Sequence, residues 1–102
     1  MEFKCCAKNS SEIEEVSRVY DFLRVIADKN RLRILCIFKK EPRCVCEIFP
    51  DIGISQKLTS HHLGQMKKIG LVSEERQGNF IRYSLNQKAI KEYKAIFNKL
   101  IK

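Results

Sequence analysis

The stretch "SQKLTSHHLGQMKKIGLV", Ser55 to Val72, decides how the chain is read. Thr59, Leu63 and Met66, with Ile69 just beyond, recur at helical spacing and define one apolar face. Ser55 is an N-cap residue and Gly70 a helix terminator, so the pattern predicts a helix from Ser55 to about Ile69. Gln56, Lys57, Ser60 and His61 then project from its N-terminal half, the half that enters the major groove in helix-turn-helix motifs. Gln pairs bidentately with adenine, and a hydroxyl donates or accepts at several base edges. Lys67 and Lys68 have the charge and reach for phosphates. The adjacent His61 and His62 point about 100° apart on a helix, so they cannot chelate one ion together. We read His61 as a DNA contact and His62 as a partly buried, hydrogen-bonded histidine.

Downstream the period changes from helical to alternating. Val72, Glu74 and Arg76 alternate with Ser73, Glu75 and Gln77, and Gly78-Asn79 separates them from Phe80 to Leu85, a β-hairpin. Its Arg76 and Arg82 are placed for phosphates. A last helix spans about Gln87 to Ile101, with Ile90, Tyr93, Phe97 and Leu100 on one stripe. Upstream, Ser11 and Glu14 have capping-box spacing and open a first helix. Its apolar stripe is Ile13, Val16, Tyr20, Leu23 and Ala27. Asp28 and Asn30 break it and cap a second helix, rich in Leu32, Ile34, Leu35, Ile37 and Phe38. Pro42 ends that one. A short third helix covers about Val45 to Phe49, cut off by Pro50. About five helices with a two-stranded wing make a mainly α winged helix-turn-helix. The first and last helices keep apolar stripes that a chain of 102 residues struggles to bury alone, so a homodimer through those helices is expected. Residues 1–10 read as a flexible, cysteine-containing arm and 11–102 as the DNA-binding and dimerisation domain.

The totals agree with a polyanionic partner. Twenty Lys and Arg face 12 Asp and Glu, a net +8. Ten basic and nine acidic residues precede Ser55, whereas ten basic and three acidic follow it, so a polyanion is expected to face the C-terminal half. No apolar run approaches the roughly 20 residues of a membrane span, and "MEFKCCAKNSSEIEE" has no secretory pattern. A cytoplasmic protein is expected, and there five cysteines point to metal or redox chemistry before structural disulfides. No nucleophile–base pair, glycine-rich phosphate loop or catalytic carboxylate pair is present, so the chain does not read as an enzyme. No organic cofactor is expected.

Cys44 and Cys46 stand one residue apart in "RCVCEIF", Arg43 to Phe49. Soft thiolates favour soft ions, and Arg43, Lys39 and Lys40 nearby favour the thiolate form. On a regular helix these two positions lie about 200° apart, so they converge on one ion only if the first turn is irregular. The two thiols can alternatively cycle through a disulfide or polysulfide, or simply pack. Cys36, within "RILCIFK", reads as a core cysteine.

Taken together and in order, "DKNRLRIL", "CVCE", "SQKLTSHHLGQMKKIGLV" and "RQGNFIRYSL" resemble the ArsR/SmtB family of metal-responsive repressors, over about residues 15–86. The resemblance implies a dimer that binds a two-fold operator until an inducing ion lowers its DNA affinity. It places DNA contacts at Gln56, Lys57, Thr59, Ser60 and His61, with the hairpin on the flanking backbone. "CVCE" resembles the arsenite/cadmium-sensing branch and assigns Cys44 and Cys46 to the inducer, an arsenite, antimonite, cadmium or lead species. That branch often has a third cysteine where this chain has Phe49. By the same resemblance, Cys5 or Cys6 of the arm replaces it. The family's other site type uses Asp, His and Glu on the last helix, which here has neither Asp nor His. A redox or reactive-sulfur sensor of the same fold, and a DNA-binding protein without effector, remain open.

Overall fold

The computed structural model describes residues 10–39 and 41–101. In chain order the elements are α1 (Ser10–Ile26), α2 (Lys29–Phe38), β1 (Arg43–Cys44), α3 (Val45–Ile52), α4 (Gln56–Lys68), β2 (Val72–Gln77), β3 (Phe80–Leu85) and α5 (Gln87–Leu100). Five helices and a hairpin in this order form the winged helix-turn-helix that the sequence predicts.

The caps of α2 and α4 fall where the sequence sets them, whereas α1 begins at Ser10, so Ser11, expected as its cap, lies inside it. Asp28 Oδ1 accepts from the amides of Asn30 and Arg31 at 2.9 and 3.1 Å, which starts α2 directly behind α1. Ser55 Oγ accepts from Leu58 N at 3.1 Å and opens α4. At its end, Leu71 N donates to Met66 O and Gly70 N to Lys67 O, with Gly70 at φ 73°. That is a Schellman closure, and Met66 and Leu71 are both buried beside it. The chain therefore leaves α4 at a fixed angle, straight into β2.

Two features differ from expectation. The wing has a third strand: β1 pairs antiparallel with β3, giving the order β1-β3-β2. Two residues are too few for alternation to reveal a strand. Pro50 also does not end α3, which continues to Ile52, where Gly53 at φ 73° caps it by donating to Phe49 O at 3.1 Å. Proline removes one helical donor, the one directed at the Cys46 carbonyl, and the buried Ile48 and Ile52 on either side hold the helix through it.

Ile34, Ile48, Leu63, Met66 and Leu71, all fully buried, join α2, α3, α4 and the start of the wing in one core. Tyr93 of α5 locks this core to the outer helices. Its hydroxyl donates to Ile69 O at 2.7 Å, and its ring stacks on Phe22 of α1 with centroids 4.5 Å apart. Cys36 is not in the core but exposed. It lies two residues from both Ile34 and Phe38, hence on the opposite side of α2.

Candidate nucleic-acid interface and thiol pair

The four buried residues of α4 are Thr59, His62, Leu63 and Met66, and they orient the helix. Opposite them Gln56, Lys57, Ser60, His61, Lys67 and Lys68 are exposed. All six are expected contacts from the sequence, together with Thr59. Thr59 is 0% exposed, and its hydroxyl donates to Ser55 O at 3.0 Å. That correction removes it from the candidate contacts: its position on the apolar stripe outweighs the resemblance. Leu58, exposed on the same half of the helix, was missed because an apolar side chain carries no polar signal. Its chemistry suits a thymine methyl group.

Beneath α4 lies a fixed polar cluster. Arg31 Nε donates to His62 Nδ1 at 3.0 Å, and its Nη1 donates to Val25 O at 3.1 Å. His62 therefore accepts at Nδ1 and carries its proton on Nε2. Burial pushes its pKa down, against a smaller upward pull from Asp28, so the neutral ring is favoured. Asp28 itself is held below its ordinary value, first by the Arg31 amide. His62 is thus the buried, hydrogen-bonded residue expected, and it seats α4 on the start of α2.

The hairpin turns at Gly78-Asn79, where only Gly78 takes a positive φ, 61°. Gly first in a two-residue loop is the II′ pattern. Cross-strand partners Arg76 with Ile81 and Glu74 with Tyr83 share one face; Gln77 with Phe80 and Glu75 with Arg82 share the other. Lys67 of α4 pairs with Glu74 on the first face, which raises the lysine pKa and lowers that of the carboxylate. Lys67 is thereby tied to the wing, whereas Lys68 carries no such pair. Arg76 is exposed. Arg82 is half-buried, and its Nη2 donates to Pro42 O at 3.2 Å. Its placement is beside the cysteine loop rather than out in solvent.

Cys44 and Cys46 are brought together, paired as a disulfide with Cα atoms 5.4 Å apart. The divergence expected on a regular helix does not arise, because Cys44 is the extended N-cap of α3, at φ −91° and ψ 163°, and ends β1. The strand-to-helix corner turns its side chain back toward Cys46. Glu47 fixes that corner by accepting from Cys44 N at 3.1 Å. Cys44 is buried and Cys46 exposed, so one thiol meets solvent and the other backs it. Arg43 pairs with Glu41 at 3.4 Å. Among the described residues no group of three or more His, Cys, Asp or Glu is placed to hold a metal. Joined as a disulfide the two sulfurs hold no ion; reduced, they become two thiolate donors, soft enough for a thiophilic ion but one short of trigonal coordination. Phe49 stands half-buried where a third cysteine would be. Cys5, Cys6 and Lys40 lie outside the described residues.

A helix with an exposed basic and polar face, flanked by a wing with a paired-cysteine corner at its foot, defines a winged-helix DNA-binding protein. A family model for bacterial regulatory proteins of the arsR family matches residues 28–74. The cadmium resistance transcriptional regulatory protein CadC of Listeria innocua is 33% identical over 78 residues, covering 76% of this chain and 66% of that protein. The chain thus spans just under two thirds of that relative. The transcriptional repressor SdpR of Bacillus subtilis is 33% identical over 69 residues, 68% of this chain and 77% of that protein. Among solved structures, the homodimeric winged helix-turn-helix DNA-binding domain Mb0332 of Mycobacterium bovis superposes with a TM-score of 0.69 at 21% identity, covering 94% of this chain and 90% of that one. The chain belongs to the arsR family, a family of regulators and not of enzymes. Among the described residues, no helix is long and apolar enough to cross a membrane.

Proposed function

We propose that this chain is a cytoplasmic, homodimeric transcriptional repressor that leaves its operator when a thiophilic metal or metalloid binds Cys44 and Cys46. One observation carries the reading: the Cys44–Cys46 disulfide, which yields a dithiol on reduction, sits at the N-terminus of α3, and α3 packs directly on the helix that presents Gln56, Lys57, Ser60 and His61. Gln56, Ser60 and His61 read bases, and Leu58 adds apolar contact. Lys57, Lys68 and Arg76 hold phosphates. Two copies joined through α1 and α5 present two such helices to a two-fold operator. The solvent-facing Cys46 meets the ion first and Cys44 closes on it. Cys5 or Cys6 supplies a third sulfur, which suits arsenite or antimonite; both together make four, for cadmium or lead. The relative CadC is named for cadmium resistance, in keeping with such an inducer.

The Cys44–Cys46 disulfide supports a second reading, a redox sensor of the same fold. There the two thiols lose two electrons and two protons to a peroxide, which leaves as water, and the bond formed is the one between the sulfurs.

One titration separates the two. The reduced protein on a fluorescent operator is treated with arsenite, antimonite, cadmium and lead, and separately with peroxide. Release by a thiophilic ion under reducing conditions is the expected result. Release by peroxide alone would leave only the redox sensor standing. Indifference to every addition would sink both readings and leave a DNA-binding protein without effector.

A further inference from the structure

We propose that Arg82 couples the thiol pair to the wing, so that an ion on Cys44 and Cys46 lowers DNA affinity by moving the hairpin. This rests on the sensing role proposed above. In the sheet, Cys44 lies directly opposite Arg82. Two residues upstream of Cys44, the Pro42 carbonyl accepts from the Arg82 guanidinium at 3.2 Å. The cysteine loop is therefore fastened to β3 by a ladder partner and by a side chain, both at the same residue.

The faces of the hairpin divide the work. Glu74 and its neighbours address α4 through Lys67. Gln77, Phe80 and Arg82, on the other face, line a surface depression together with Cys44, Cys46 and Glu47. Phe80 is 61% exposed, large for an aromatic ring that serves no core. Once a thiol reductant has opened the disulfide, an ion held by both thiolates occupies the space that Arg82 and Phe80 now border. Seating it displaces the guanidinium from Pro42 and shifts β3 against β1. The loop between β2 and β3 moves with it, away from the DNA backbone. The recognition helix is fastened by His62 and by Tyr93 as well as by α3. Arg82 is thus a positioning residue.

Operator affinity is measured by anisotropy across a salt series, with and without cadmium, while cadmium uptake is followed by its sulfur-to-metal absorption. In the wild type, cadmium is expected to weaken binding about tenfold or more and to flatten the slope of log affinity against log salt by about one. Arg82→Ala should take up cadmium normally yet change operator affinity less than about twofold on loading. Arg82→Lys, which keeps a donor for Pro42 O, should retain most of the response. Equal release of wild type and Arg82→Ala would overturn the coupling while leaving the sensing role intact. A wild type that takes up cadmium and keeps its operator would instead overturn the sensing role. If Arg82→Ala binds no operator, Phe80→Trp reports without DNA: its emission should shift on cadmium loading and stay fixed when Arg82→Ala is added. A shift in both backgrounds overturns the proposal.

Discussion

His62 and Thr59 show how single side chains on one helix divide between support and recognition. The pKa of His62 is depressed in the folded state, so the unfolded chain takes up its proton more readily. Stability should be full above the ordinary histidine pKa of about 6.5 and fall as pH drops below it. His62→Gln should flatten that decline, as urea unfolding at pH 7.5 and 5.5 can measure; an unchanged decline would place its origin elsewhere. Thr59 gives the complementary case. Its hydroxyl bond is internal, and Ser55 O also accepts from Thr59 N at 3.0 Å. Thr59→Val should therefore cost about 1 kcal/mol of stability or less and leave operator specificity unchanged. Ser60→Ala, two faces away on the exposed side, should do the reverse. A specificity change in Thr59→Val would return that residue to the interface.

Among the elements, the exit from α4 sets the angle between the recognition helix and the wing. Gly70 takes φ 73° there, and a Cβ added to it would meet nothing within 4 Å. Gly70→Ala should thus cost only the backbone strain of a left-handed residue, about 1–2 kcal/mol. Chemical denaturation checks this; no loss would mean that the turn relaxes. Such elements were readable because each carries a local signal: the stripe of α4 with Ser55 and Gly70, the Asp28 cap, and the change of period with Gly78-Asn79. The cysteine corner was not. The third helix is expected from about Val45, as observed, but nothing local shows that pairing with β3, a contact across nearly forty residues, holds Cys44 extended. That long-range pairing supplies the third strand, sets Cys44 where its sulfur meets that of Cys46, and brings Arg82, expected at the DNA backbone, against Pro42 O. Pro50 likewise reads as a stop, and burial of Ile48 and Ile52 carries the helix past it.

Across the whole molecule, shape and exposed apolar surface argue for assembly. The radius of gyration is 15.2 Å, against about 13 Å for a compact chain of this length. Ile13 and Leu23 on α1 are 41% and 39% exposed, and Ile101 beyond α5 is 65% exposed. The same helices meet within one protomer through Phe22–Tyr93, Arg18–Glu92 at 3.0 Å and Glu15–Lys99 at 3.2 Å, so the apolar remainder is free for a second copy. Leu23→Glu should yield a monomer by sedimentation and weaken operator binding at least about tenfold, since one recognition helix then acts alone; a dimeric Leu23→Glu would move the interface elsewhere. On this reading the thiol pair controls a DNA-binding surface of which it forms no part. Operator affinity of reduced Cys44→Ser, with and without saturating cadmium or arsenite, is the decisive measurement. The variant should bind within about threefold of the unloaded wild type and respond to neither ion. Release of the variant by either ion, or loss of operator binding before any ion is added, would contradict it.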